Sequence, residues 1–268
     1  MIDLDYARRS FKKFLDRYED KEKLGFNLKV VHTYHVVDMA KSIASNLNLS
    51  EEDKDLAELI ALLHDIGRFE ELNFFNKFNS TSFNHASYGV KMLFEDEMIR
   101  DFIIDDKYDE IIKTAILNHN RLCIENGLDE RCKLHAMIIR DADKLDNFRV
   151  KKEEKIEAIF PGKVKEKKDM ENSILSDKVY ETIKKAKCVN IRDRETVLDY
   201  WCCVLAFVFD LNFKESYEII KNNDYINLLI DRFKYNDLET KKRIEEIRNI
   251  MNAYVSNKVG ESDINEQQ

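Results

Sequence analysis

The chain has one proline and six glycines in 268 residues, against an average usage of about 5% and 7%. So few turn residues cannot punctuate a many-stranded sandwich, a barrel or a βα array, and the sequence points to an all-α fold. Cysteine is also sparse. Cys123, Cys132, Cys188, Cys202 and Cys203 are odd in number and show no CxxC spacing, and the adjacent Cys202 and Cys203 are badly placed to pair with each other. They read as reduced thiols, which sets the expectation of a cytoplasmic location. Long apolar runs are missing: the longest, YWCCVLAFVF over 200–209, has ten residues, about half of what a bilayer-spanning helix needs. It is expected to be a core helix, and no membrane association is expected. The opening MIDLDYARRSFKKFLDRYED carries charges where a secretory signal would need an apolar stretch, so no export is expected. Excess positive charge is lacking as well. Lys+Arg total 44 against 52 Asp+Glu, for a net charge of −8, which argues against a nucleic-acid binder that gains affinity by neutralising phosphates. A small anionic substrate held by a few local cations remains open.

What is present is helical periodicity. Apolar residues at 56, 59, 60, 63 and 66 follow Ser50, whose spacing to Asp53 resembles a capping box, and Gly67 is expected to stop that helix. Val36, Met39, Ala40, Ile43 and Leu47 line one stripe, and Tyr108, Ile111, Ile112, Ala115 and Ile116 another. Further helical patterns cover 6–18, 85–95, 130–148, 172–187, 193–209, 214–221, 224–233 and 238–255. The expected organisation is a helical metal-binding core over 1–149, a lysine-rich connecting segment over 150–170 with the only proline, a helical extension over 171–256 and a disordered tail over 257–268. Homo-oligomerisation is left open by the sequence.

All six histidines lie between positions 32 and 135. His64 and Asp65 are adjacent in LLHDIGRF, and both can approach one ion only where helix geometry loosens. His119 continues the stripe of Tyr108 to Ile116, so its imidazole points toward the core and needs a buried partner. His32 shares a face with Val36, Met39 and Ile43, whereas His35 is related to Asp38 and Ser42; His85 opens an element with Tyr88, Met92 and Leu93 on its face. One inward histidine is ordinarily a satisfied core residue. Three from separate helices, with His64 and Asp65, most economically share metal. IIRDADKLDNFR offers a further carboxylate, but the helical period does not choose between Asp141 and Asp143, which face different ways.

These residues resemble the HD superfamily of metal-dependent phosphohydrolases, marked by the order H…HD…D. HTYHVVDMAKSIA resembles the first-histidine helix with His32 as ligand, LLHDIGRF the central doublet, and ADKLDN the last motif, in which the second Asp of a DxD pair ligates, favouring Asp143. HASYGVKML and LNHNR resemble the two extra histidine motifs of the H…HD…H…H…D subset, which includes cyclic-dinucleotide phosphodiesterases, dinucleoside-polyphosphate hydrolases and myo-inositol oxygenase. The resemblance spans 28–149. There is no GYP motif, His119 is followed by Asn120, and the Glu-Asp pair typical of alarmone hydrolases does not follow the doublet.

The resemblance implies an HD-type helical bundle with His32, His64, Asp65 and Asp143 around one divalent ion, and His85 and His119 on a second bridged by Asp65. Imidazole and carboxylate donors suit Mn or Fe, with Co, Ni and Zn open. The implied reaction is hydrolysis of a phosphate ester of a nucleotide or related metabolite by metal-bound hydroxide. Arg68, Arg121 and Lys144 are the candidate cations for the phosphoryl charge, with Arg68 and Arg121 catalytic beside Asp65; Asn147 is a candidate substrate contact. His35 and His135 are expected to be structural and Asp141 to support the ligands from behind. Two other functions fit the same residues: a di-iron oxygenase, and a non-catalytic metal-binding signalling module.

Overall fold

The structure is a computed structural model and describes residues 2–18, 24–75, 83–160 and 163–260. Among them there is no strand, and every regular element is helical, as the scarcity of turn residues implies. The chain divides into two compact units between Asp146 and Asn147.

The first unit contains α1 (Leu4–Leu15), α2 (Leu24–Asn46), α3 (Glu51–Leu63), α4 (Ile66–Phe75), α5 (His85–Val90), α6 (Asp109–His119) and the start of α7 (Glu130–Glu153). The apolar stripe of α3, Leu56, Leu59, Ile60 and Leu63, is wholly buried, and α3 packs along α2. Ser50 caps α3, its hydroxyl accepting the Asp53 N–H at 3.1 Å. Phe11, Phe14, Tyr18, Phe26 and Phe69 form an edge-to-face aromatic cluster that ties α1 to α2 and α4.

Gly67 does not end α3. That helix stops at Leu63, and Gly67 lies inside the next helix, α4. Its small size serves packing: a Cβ on Gly67 would lie 2.2 Å from the His85 carbonyl oxygen and 2.6 Å from the Gly89 nitrogen. Helices α4 and α5 therefore meet backbone to backbone. The expected helix over 85–95 changes at Lys91 into a π-helical turn, Lys91–Glu95.

In the second unit α7 runs on to Glu153, followed by α8 (Ile156–Ile159), α9 (Lys167–Glu171), α10 (Asp177–Lys184), α11 (Val197–Leu205), α12 (Lys214–Asn222), α13 (Tyr225–Ile230) and α14 (Leu238–Gly260). The lysine-rich stretch over 150–170 is not a bare connection. It holds the end of α7 with α8 and α9, and Val150, Ile156, Ile159, Val164 and Met170 are buried. Arg232 closes the end of α7 by donating to the carbonyls of Lys151 and Glu154. Pro161 and Gly162 lie outside the described residues. The apolar run is core, as expected: Trp201, Cys202, Leu205, Ala206 and Val208 are fully buried, and the Trp201 indole donates to Leu229 O at 3.2 Å. Residues 257–260, expected in the tail, belong to α14, while 261–268 lie outside the described residues. No helix among the described residues is long and apolar enough to cross a membrane.

Candidate metal centre

Each histidine and aspartate of the motif sits where an element delivers it inward. His32 lies in mid-α2, and His64 is the residue on which α3 ends. Asp65 occupies the turn before α4 begins at Ile66, so the doublet straddles two helices and both side chains reach one point. The close crossing at Gly67 and Gly89 brings His85, the first residue of α5, against that turn. His119 is the last residue of α6, and Asp143 lies in α7.

Two donor clusters result: His32, His64, Asp65 and Asp143; and Asp65, His85 and His119. Asp65 belongs to both. Its Oδ2 lies 3.2 Å from His64 Nε2 and 3.7 Å from His32 Nε2. Its Oδ1 lies 3.3 Å from His85 Nε2 and 3.6 Å from His119 Nε2. Asp143 Oδ1 stands 3.1 Å from His32 Nε2 and 4.0 Å from His64 Nε2.

The outer hydrogen bonds fix which imidazole nitrogen faces inward. His64 Nδ1 donates to Ala61 O at 2.7 Å, His119 Nδ1 to Ile116 O at 2.6 Å, and His32 Nδ1 faces Asp146 Oδ2 at 2.6 Å. A carbonyl only accepts, so the Nε2 atoms of His64 and His119 carry lone pairs toward the clusters. His32 Nε2, His64 Nε2 and Asp65 Oδ1 are buried and make no hydrogen bond. Buried acceptors without a donor are costly, and lone pairs turned on one another call for a cation between them. Donors around one ion at about 2.0–2.2 Å stand roughly 3.0–3.5 Å apart, close to the spacings in both clusters. Nitrogen and carboxylate donors without a thiolate fit divalent metal binding.

Titration agrees with that chemistry. Burial drives the His85 pKa well down, with the Arg68 guanidinium adding to it, so the imidazole is a neutral ligand. Burial by itself would raise Asp65, but the Lys29 ammonium and His64 outweigh it and hold the carboxyl well below its ordinary range. Burial and Lys29 oppose protonation of His32; the carboxylates of Asp143 and Asp146 prevail and raise its pKa. A place that attracts a proton also attracts a divalent cation.

Of the candidate cations, Arg68 is at the centre. Its guanidinium is mostly buried, bonds Glu71, lies 3.1 Å from His85 Nε2 and approaches Asp65 Oδ1 to 3.8 Å. Arg121 stands apart, its side chain 44% exposed and paired with Glu125 four residues on. Lys144 is buried beside Asp143 on α7, and Asn147 is half-buried and counted in the second unit. Asp143, not Asp141, joins the cluster; Asp141 is fully buried outside it. His135 is tied to Asp53 at 3.1 Å, binding α7 to the start of α3, and His35 is half-buried outside the clusters.

Buried Glu71 holds Arg68. Two partners escaped the sequence reading: Lys29, one turn before His32, bonds Asp65 Oδ2, and Asp146, one turn after Asp143, holds His32. The only signal each offered was a spacing of three residues from a named candidate.

Neither the curated proteins nor the solved structures return a match to this chain. A family model described as HD domain matches residues 30–147. That span holds all six members of the two clusters.

Proposed function

We propose that the HD domain is a metal-dependent phosphohydrolase that cleaves a phosphate ester of a nucleotide or related small phosphorylated metabolite, with two divalent transition ions, Mn or Fe first among them, as cofactors. The observation that carries this reading is Asp65, buried between two clusters and giving one oxygen to each. A paired metal centre supplies a water of lowered pKa and polarises the phosphoryl oxygen. In this reading His32, His64 and Asp143 hold one ion, His85 and His119 the other, and Asp65 both.

The remaining residues set charge and orientation. Arg68, fixed by Glu71 and facing His85, is placed to meet a phosphate oxygen and the charge that develops on it. Lys29 adds a second positive group, on the Asp65 carboxylate. Arg121, turned to Glu125, takes no part in this version of the site.

The test is metal analysis of protein purified without chelator, coupled to a phosphate-release screen of mono-, di- and cyclic nucleotides and of simple phosphate esters. Release that needs added Mn or Fe and vanishes in Asp65→Ala is the expected result. Iron retention with O2 uptake and no phosphate release would overturn it in favour of an oxygenase. Metal binding with no turnover on any ester would overturn it in favour of a signalling module.

A further inference from the structure

The two clusters share Asp65, yet their other members come from different helices: His32 and Asp143 from α2 and α7, His85 and His119 from α5 and α6. Something must fix the end of α6 relative to α7 if one carboxylate is to serve both. Arg140 is the side chain in that position. It lies on α7 and is only 1% exposed, among the largest fully buried side chains of the described residues. Its guanidinium donates to Asn118 O at 2.6 Å, Arg121 O at 2.7 Å and Leu122 O at 3.4 Å.

Those carbonyls belong to the last turn of α6 and the bend after it, where a helix cannot satisfy its own acceptors. The delocalised charge meets the negative end of the helix, and the planar fork spans acceptors that a single ammonium cannot. His119 stands inside the gripped segment, with its Nδ1 on Ile116 O. The Asn118 side chain braces the same bend, donating to Thr114 O and accepting from Glu125 N–H. Asn120, the next residue after His119, reaches Asn84 Oδ1, the cap of the helix that His85 begins. Arg140 and Asp143 are three residues apart on α7, close to one face. One turn of α7 thus carries both a member of the first cluster and the clamp on the second.

We propose that Arg140 is the positioning residue that sets the spacing of the two clusters, so that Asp65 can bridge them. This rests on the dinuclear reading above. Arg140 acts through the backbone on His119.

The test is Mn(II) titration of the full chain, read by metal stoichiometry and by electron paramagnetic resonance. Wild type is expected to take two ions and to show the signal of an exchange-coupled pair. Arg140→Met is expected to keep the first ion and bind the second about 10–100-fold more weakly, as loss of an outer support does, with the isolated-Mn(II) signal replacing the coupled one. Arg140→Lys, which keeps the charge but not the fork, should fall between them. Should Arg140→Met fail to fold, Arg140→Lys and Arg140→Gln carry the same reading. Two ions with wild-type coupling in every folded variant would overturn the proposal and leave Arg140 a plain helix clamp. A single ion in wild type would overturn the dinuclear reading itself, a result seen before any variant is made.

Discussion

His32 and Asp146 stand 2.6 Å apart through Nδ1 and Oδ2, both buried, one helix facing another across the donor cluster. The carboxylate holds the imidazole in the tautomer that turns Nε2 inward and makes that nitrogen a stronger base. Asp146→Asn keeps the shape and loses the charge, so metal affinity at the first cluster should fall about tenfold, and Asp146→Ala about 100-fold. Competition against a chelator of known affinity measures this. Unchanged affinity in both variants would show that Asp146 only fills space.

Gly67 is bound to its place by sterics. An alanine there would press its methyl against the His85 carbonyl and the Gly89 backbone, at 2.2 and 2.6 Å. Main chain on both sides cannot step aside as a flexible side chain would. Gly67→Ala should destabilise by at least about 1–3 kcal/mol, the ordinary cost of overpacking, and should weaken metal binding at the cluster of His85 and His119. Thermal unfolding and metal content check the two parts separately. A wild-type melting temperature would contradict the packing described here.

Much of this site was legible before any coordinates, and the reason is chemical contrast. An imidazole on an apolar stripe, as with His32 after the Val36–Ile43 face or His119 after Tyr108–Ile116, has no ordinary reason to be there, so it stands out. Charged residues do not. Lys29, Arg140 and Asp146 each occur on helices rich in charge, where a solvated face is the ordinary expectation, and nothing in their spacing marks them as buried. Asp141 and Asp143 show the same limit: the helical period left them equal, the family resemblance favoured Asp143, and the packing of α7 sets Asp143 against His32. Gly67 was misread because a glycine after an apolar run looks like a helix stop, while its close neighbours, His85 and Gly89, lie some twenty residues away in sequence. Arg68, after the doublet, lies against the donors, whereas the side chain of Arg121 pairs with Glu125.

His135 gives a pH prediction that does not involve the metal donors. Burial lowers its pKa below the ordinary 6.5, against the pull of Asp53. The unfolded chain therefore takes up a proton near pH 6.5 that the folded protein refuses until lower pH, and stability is lost as pH falls through that window. His135→Gln removes this linkage. The stability difference between wild type and His135→Gln, followed by urea unfolding at pH 8 and at pH 5.5, should shift against the wild type at the lower pH. A difference that does not change with pH would show that His135 titrates alike in both states.

The last prediction concerns Arg68, which the sequence offers as a candidate cation for the phosphoryl charge. Arg68 pairs with Glu71, and the pair is buried and faces His85 and Asp65. If the guanidinium meets the phosphoryl charge, Arg68→Ala should lower kcat/KM by roughly 10²-fold or more, as the loss of one electrostatic donor commonly costs about 2.7–4 kcal/mol of barrier. Metal content should hold. Because Glu71 would be left as a buried, partly compensated carboxylate, melting temperature should fall as well, and the double variant Arg68→Ala/Glu71→Gln separates the two effects by recovering stability without recovering rate. Arg68→Lys should restore only part of the activity, since a point charge cannot bond Glu71 and a phosphate oxygen with one planar fork. Full activity in the double variant would assign Arg68 a purely structural role, and Lys29, already on Asp65, would then be the cation nearest the reacting phosphate.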